Sequence, residues 1–304
     1  MTDQLERDPY LAVRQASAAP WPGPRGPRFD LAAGDLAASI HPMDGCRLTS
    51  LTLADTELMR QWTPERRAFQ YGSFPMVPWV GRMGNGLLGF EGAEYHLPVN
   101  KPPHALHGMA CFGPWETLST TDTSAEFAFR LIEPWPWSGV ATQRFEITPE
   151  ALVTTLTIET GQAPFPAAAG WHPWFAKWTG TPQEVARSPI GDPSDELVIH
   201  FAADWQEEPG DDELPTGRRI SPRVGPWDDA FGFDSTMSAT LTWPHRVRLT
   251  MTSPAKSMVV FSTQPDAACV EPLSGPPNGI NTHQRVVTTS HPLAISTKWA
   301  LTAL

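Results

Sequence analysis

The strongest constraint on the fold is negative: no segment of this chain keeps apolar residues at helical spacing long enough for a substantial helix. Short alternating or β-branched runs recur instead, each cut by proline, glycine or polar turn residues. Residues 36–40 and 48–53 flank Asp44-Gly45 and read as a hairpin, as do residues 90–98 and 239–251. Further strand-like runs lie at 125–131, 145–148, 152–159, 196–201, 257–262, 285–288 and 293–299. Such spacing predicts an all-β chain, a large antiparallel β-sandwich with residues 31–304 as one domain. Residues 1–30, rich in Ala, Pro and Arg, read as an irregular N-terminal arm. Residues 203–226, polar and rich in Pro, Gly and acids, read as a long loop. Two prolines and three glycines in residues 74–86 argue against both a regular helix and a central strand there.

Composition narrows the function classes. Charged residues are 18% and hydrophobic residues 40%, enough for a sizeable core. The formal net charge of -11 argues against nucleic acid or an anionic membrane as partner. Thirteen tryptophans suit a carbohydrate ligand, because indole faces stack on sugar C–H surfaces. Cys46, Cys111 and Cys269 are sparse, odd in number and without a CxxC, which fits a reducing compartment and predicts buried, inert thiols. The N-terminus has no basic region followed by an apolar run, and no apolar run approaches the ~20 residues of a bilayer span, so a cytoplasmic location is expected.

The candidate chemistry centres on Glu271, which Pro272 pushes towards extended backbone ahead of a rigid run of Pro, Gly and Asn. Arg82 is the lone charge in an apolar, glycine-rich stretch, and His172 sits among Trp171, Trp174 and Phe175. On local evidence these are equally a solvated carboxylate, a surface arginine and a core histidine. His104 and His107 stand three apart with no third ligand near, so a structural or hydrogen-bonding role suits them better than a metal.

The motifs are more informative together. Gly-Arg-Met-x-Asn-Gly from Gly81 is followed by Phe-x-Gly-x-x-Tyr-x-Leu-x-x-Asn from Phe90, Leu-His-Gly from Leu106 and Gly-Trp-His-Pro-Trp-Phe from Gly170. Asp-Asp-x-Phe from Asp228 and Val-Glu-Pro-x-Ser-Gly-Pro-Pro from Val270 complete the series. This order, over roughly residues 30–300, resembles the aldose 1-epimerase (galactose mutarotase) family. The resemblance implies a sandwich that binds sugar in an open cleft across one sheet, with no cofactor and no metal. It casts Glu271 as general base, His172 as general acid, and Arg82 and His107 as hydrogen-bonders to sugar oxygens. Asp228, or Asp229 if the alignment slips by one, becomes the hydroxyl-binding carboxylate, and Trp174 a further sugar contact. Gly81 stands where the family usually has Asn, which puts a polar contact near the anomeric end in question.

The implied reaction opens an aldose ring between C1 and O5. A base takes the proton of O1–H while an acid protonates O5, and closure on the other face exchanges the anomers. Carboxylate and imidazole suit this near neutral pH. A glycoside hydrolase would use Glu271 with Asp228 or Asp229 but leave His172 and Arg82 idle. A non-catalytic sugar binder, and a relative acting on hexose 6-phosphates through Arg218, Arg219 and Arg223, are the other rivals. The expected partner is a small sugar, with the chain acting as monomer or homodimer.

Overall fold

The computed structural model describes residues 18–131, 133–187 and 190–304; residues 1–17 of the expected arm lie outside the described residues. Two large sheets dominate, and every pairing between their strands is antiparallel. The larger has eleven strands. From one edge it runs Phe29–Ala33, Leu36–His41, Arg47–Leu53, Thr56–Met59, Gly170–Gly180, Ala267–Leu273, Ser257–Phe261, Asp228–Gly232, Trp205–Pro209 and Pro215–Ile220, with Ser73–Met76 joining Gly170–Gly180 from the side. The second has eight, in the order Glu116–Thr120, Ser124–Leu131, Gly139–Thr148, Ala151–Glu159, Leu293–Ala303, Val247–Ser253, Met237–Trp243 and Val198–Phe201.

The alternation read in the sequence becomes the two faces of these sheets, since neighbouring side chains on a strand point opposite ways. Phe175 of the larger sheet packs between sheets on Trp243 and Trp299 of the smaller, at ring distances of 6.1 and 5.4 Å. Burying each such side chain is worth about 1.5–3 kcal/mol, so this seam is a main source of stability. Positions one residue away from Phe175, Trp174 among them, face the opposite side of the sheet. The predicted sandwich and its hairpins at 36–53, 87–96 and 237–253 are all present. The three cysteines are free and buried, as expected.

Three local expectations need correction. Residues 203–226 are not a long loop: Trp205–Pro209 and Pro215–Ile220 form an antiparallel pair. What holds it is cross-strand polar pairing rather than apolar alternation. The Glu208 carboxylate takes Arg218 at 2.6 Å and the Thr216 hydroxyl at 2.7 Å, and the Arg219 guanidinium lies 3.8 Å from the Trp205 ring. Glu271 sits inside the fully buried strand Ala267–Leu273, not on a loop beyond one. Residues 74–86 supply part of the short strand Ser73–Met76, with Pro75 opposite Trp171. The prolines fit because the ladder between Gly170–Gly180 and Ala267–Leu273 pairs at Gly170–Leu273 and at Trp174–Cys269 but is open between them, where Pro173 and Pro272 lie. Of the expected arm, residues 18–28 form no strand, yet Trp21 is buried and its indole donates to Asp44 at 2.7 Å.

Candidate active site

The open stretch of ladder carries the site. The register that pairs Gly170 with Leu273 and Trp174 with Cys269 sets His172 across from Glu271. On the far side Glu271 pairs with Val259, which pairs with Ala230, while His172 pairs with Phe74. Ala230, Val259, Glu271 and His172 thus form one row over four strands, on the face turned away from the second sheet. All four line a cleft of about 170 Å³. Asp228 and Phe261 follow in the next row and line it too.

His172 Nε2 lies 3.3 Å from Glu271 Oε1, with the residues only 5% and 2% exposed. Phe74 and Trp174 both stack on the imidazole, at 4.8 and 5.3 Å, and fix the ring plane. Burial pushes the Glu271 carboxyl well above its usual range; Asp228 adds to the rise and Arg82 opposes it. Burial also holds the His172 imidazole down to about 3, against which its backbone hydrogen bond works and to which the charge on Arg47 adds. Burial thus favours the uncharged form of both side chains.

Arg82 and His107 come to this row from the opposite lip. The short pair Arg82–Met83 and Ala105–Leu106 aligns Arg82 with Leu106, and the His107 N–H donates to the Gly81 carbonyl at 2.9 Å. The His107 ring meets His172 edge-on at 4.9 Å. Its Nδ1 is buried with no protein partner among the described residues, and burial, with His172 and Arg82, holds its pKa well below the usual value. Arg82 Nε donates to Glu213 at 3.1 Å, and the Arg82 carbonyl accepts from Asn278 N–H at 2.7 Å. Gly81 has φ +57°, and a Cβ there would lie 2.9 Å from Pro277 Cβ. A side chain at 81 would crowd Pro277 and strain the backbone, which accounts for glycine at this position.

Five of the expected site residues share the cleft in this way: Glu271, His172, Arg82, His107 and Asp228. Asp229 reaches its edge as well, but alternation puts it on the other face from Asp228, and its carboxylate accepts from Gln206 at 2.6 Å. Asp228 is thus the carboxylate that shares a face with Glu271; burial raises its pKa, with Arg82 opposing. Trp174 is a correction. It is 3% exposed, donates its indole N–H to Phe69 O and backs His172 from beneath, rather than forming the cleft wall.

Sequence reading missed Glu207, Glu213 and Leu214, which the hairpin Trp205–Ile220 brings to the cleft. The structural role expected of His104 is the one it plays. His104 Nδ1 accepts from Asn85 N–H, so Nε2 carries the proton and donates to the Asp212 carbonyl at 2.8 Å, fastening the hairpin tip. Among the described residues one group of three donors could take a cation: His172, Cys269 and Glu271, with ligand atoms within 4.8 Å of one another. Burial pushes the Cys269 thiol well up, which keeps it protonated. No helix of the described residues is long and apolar enough to cross a membrane.

The chain is 31% identical over 154 residues to the Escherichia coli protein YphB, covering 48% of this chain and 51% of that one. It is 33% identical over 101 residues to YihR of the same organism, covering 33% and 32%. The chain thus spans half or less of the length of the curated relatives it matches. Among solved structures, a galactose mutarotase-like protein from Clostridium acetobutylicum superposes with TM-score 0.76 at 15% identity, over 91% of this chain and 95% of the other. A GalM/aldose epimerase homologue from C. elegans gives 0.76 at 16% identity, over 92% and 100%. The galactose 1-epimerase of Lactobacillus acidophilus gives 0.73 at 16%, over 91% and 94%. These likenesses establish a galactose mutarotase-like fold. The aldose 1-epimerase family profile matches residues 28–283, most of the chain, and the protein belongs to that family.

Proposed function

We propose that the protein is a mutarotase that interconverts the α and β anomers of an aldohexose, with residues 31–304 acting as one sugar-binding catalytic domain. The observation that carries this reading is the His172–Glu271 pair, 3.3 Å apart and buried at the floor of an open cleft. Between them the two side chains hold one proton. Burial favours the uncharged arrangement, and a sugar's hydroxyls beside Arg82 bring the charged one within reach. Glu271 then takes the proton of O1–H while His172 delivers its own to O5. The C1–O5 bond breaks, C1 becomes an aldehyde, and rotation about C1–C2 presents its other face. Closure runs the same transfers backwards and restores both side chains. Positioned proton transfer of this kind is worth about 10² to 10⁴ in rate.

Arg82, always charged, steadies negative charge on O5 as it develops. His107, which lines the cleft, meets one sugar hydroxyl, and Asp228 accepts from another. Both proton transfers are met by side chains of the chain itself, so the reading calls for no cofactor. Phosphorylated hexoses fit the cleft less well. Of the arginines weighed for a phosphate clamp, Arg218 is held by Glu208 and Arg219 lies on Trp205. Three buried free thiols and the acidic balance suit a cytoplasmic enzyme acting on a small sugar, as monomer or homodimer.

The test is magnetisation exchange between the anomeric protons of D-glucose and D-galactose. Faster exchange in the presence of protein, without release of aglycone from aryl glycosides, is the expected result. Unchanged exchange with both sugars would reject the assignment, and aglycone release would replace it with a hydrolase.

A further inference from the structure

The hairpin Trp205–Ile220 has no part in the proton transfers, yet it supplies much of one cleft wall. Glu207 and Glu213 project from it into a cleft that already holds Asp228 and Glu271, with Asp229 only at its edge. Against these carboxylates stands one cation among the lining residues, Arg82, whose Nε is occupied by Glu213. The hairpin's own arginines are engaged elsewhere, Arg218 with Glu208 and Arg219 over Trp205. His107, on the same lip as Arg82, also lines the cleft but adds little positive charge, because burial holds its pKa well below the usual value.

The acidic wall is fixed in place. His104 holds the Asp212 carbonyl at the tip, Arg82 holds Glu213, and the Trp205 indole donates to Glu207 at 3.0 Å. A cleft lined by one sign of charge focuses its field on whatever enters. An anionic sugar would compete with Glu213 for Arg82 and still face Glu207 and Asp228. A neutral sugar carries no charge for them to repel, and an ammonium group is attracted by each ionised carboxylate.

We infer that Glu207 and Glu213 make the cleft a charge filter, admitting neutral aldoses and amino-aldoses and turning away aldoses that carry a carboxylate, phosphate or sulfonate. This rests on the mutarotase reading for the nature of the ligand.

The experiment compares D-glucose, D-glucosamine at about pH 6 and D-glucuronate, as kcat/KM for anomer exchange and as affinity by saturation-transfer NMR. It uses wild type, Glu207→Gln and Glu207→Gln/Glu213→Gln, with circular dichroism to confirm folding. Wild type should favour glucosamine over glucuronate by about tenfold or more at low salt, and the double variant should narrow that ratio by about tenfold. The single variant, which leaves Arg82 paired, should narrow it about threefold, and about 0.5 M salt should flatten the series in wild type. Equal ratios in wild type and variants, or a preference for glucuronate, would overturn the filter. Binding in the expected order without exchange would uphold the filter and defeat the mutarotase reading, while failure of all three sugars to bind would defeat both.

Discussion

Asp266 and Glu271 stand five residues apart, at the mouth of one strand and within it, and the protein treats them in opposite ways. Both are nearly sealed from water, at 7% and 2% exposure. Asp266 is clamped by Arg60 through both carboxylate oxygens, at 2.9 and 2.6 Å, and by Arg66 at 2.8 Å. Glu271 has one close polar side chain, a histidine that burial keeps neutral. A fold able to satisfy one buried carboxylate so fully, and leaving another so bare, separates structure from chemistry. Asp266 is an anchor, and through Arg60, which lies over Trp174, it also braces the floor under His172. On the proposed function Glu271 keeps its lone pairs for a substrate.

The contrast can be broken at either end. His172→Gln removes the acid from the pair and should lower kcat by about 10³-fold while the protein stays folded, read by anomeric exchange together with circular dichroism. Asp266→Asn leaves two arginines facing each other and should destabilise the fold by about 3–5 kcal/mol in urea titration. Its activity per folded molecule should fall less than tenfold, because the contact it loses with the site is indirect. The reverse pattern, a dead but stable Asp266→Asn, would erase the distinction.

The pH dependence sharpens the comparison further. Glu271 binds its proton more tightly folded than unfolded, so its contribution to stability is full below the ordinary carboxylate value of 4.5 and is lost as pH rises through the raised folded value. His172 works from the other side. Its folded value of about 3 lies below the usual 6.5, so stability is full above 6.5 and declines as pH falls from there towards 3. On the proposed mechanism activity needs one proton on the pair, so kcat/KM should fall on an alkaline limb as pH rises through the raised value of Glu271. Asp228 raises that limb, and Asp228→Asn should move it to lower pH. A limb that stays put would show that the pair does not govern the rate. The smallest effect belongs to Gly81→Ala. With a Cβ 2.9 Å from Pro277 at positive φ, it should cost about 1–2 kcal/mol of stability and raise KM through displaced Arg82.

How much of this was legible in the sequence follows from the kind of signal each part carries. Alternating apolar residues announced the strands that build the core, because burial writes itself into period two. Glu271, His172, Arg82, His107 and Asp228 were legible through motif order alone, since nothing local to them separates a site from a solvated face. The hairpin at 205–220 was not legible, because Arg218–Glu208 and Arg219–Trp205 hold it across strands and leave no apolar period. Its acids Glu207 and Glu213 went unseen with it. Trp174 was given a sugar contact for a related reason: an aromatic beside a site residue reads the same whether it touches the ligand or props its neighbour. The strand position of Glu271 was hidden by Pro272, whose presence in a central strand depends on a ladder opening that only the fold reveals.

The central claim is that the bareness of Glu271 serves catalysis at the expense of stability. Glu271→Gln tests it most directly, with polarimetry of freshly dissolved α-D-glucose and α-D-galactose set beside thermal unfolding of the same sample above pH 7. The account predicts a loss of about 10³-fold in mutarotation together with a gain of roughly 1–2 kcal/mol in stability, because the amide no longer has a charge to bury. Retained mutarotation would contradict the assignment of the base, and a less stable variant would contradict the claim that its ionised form strains the fold.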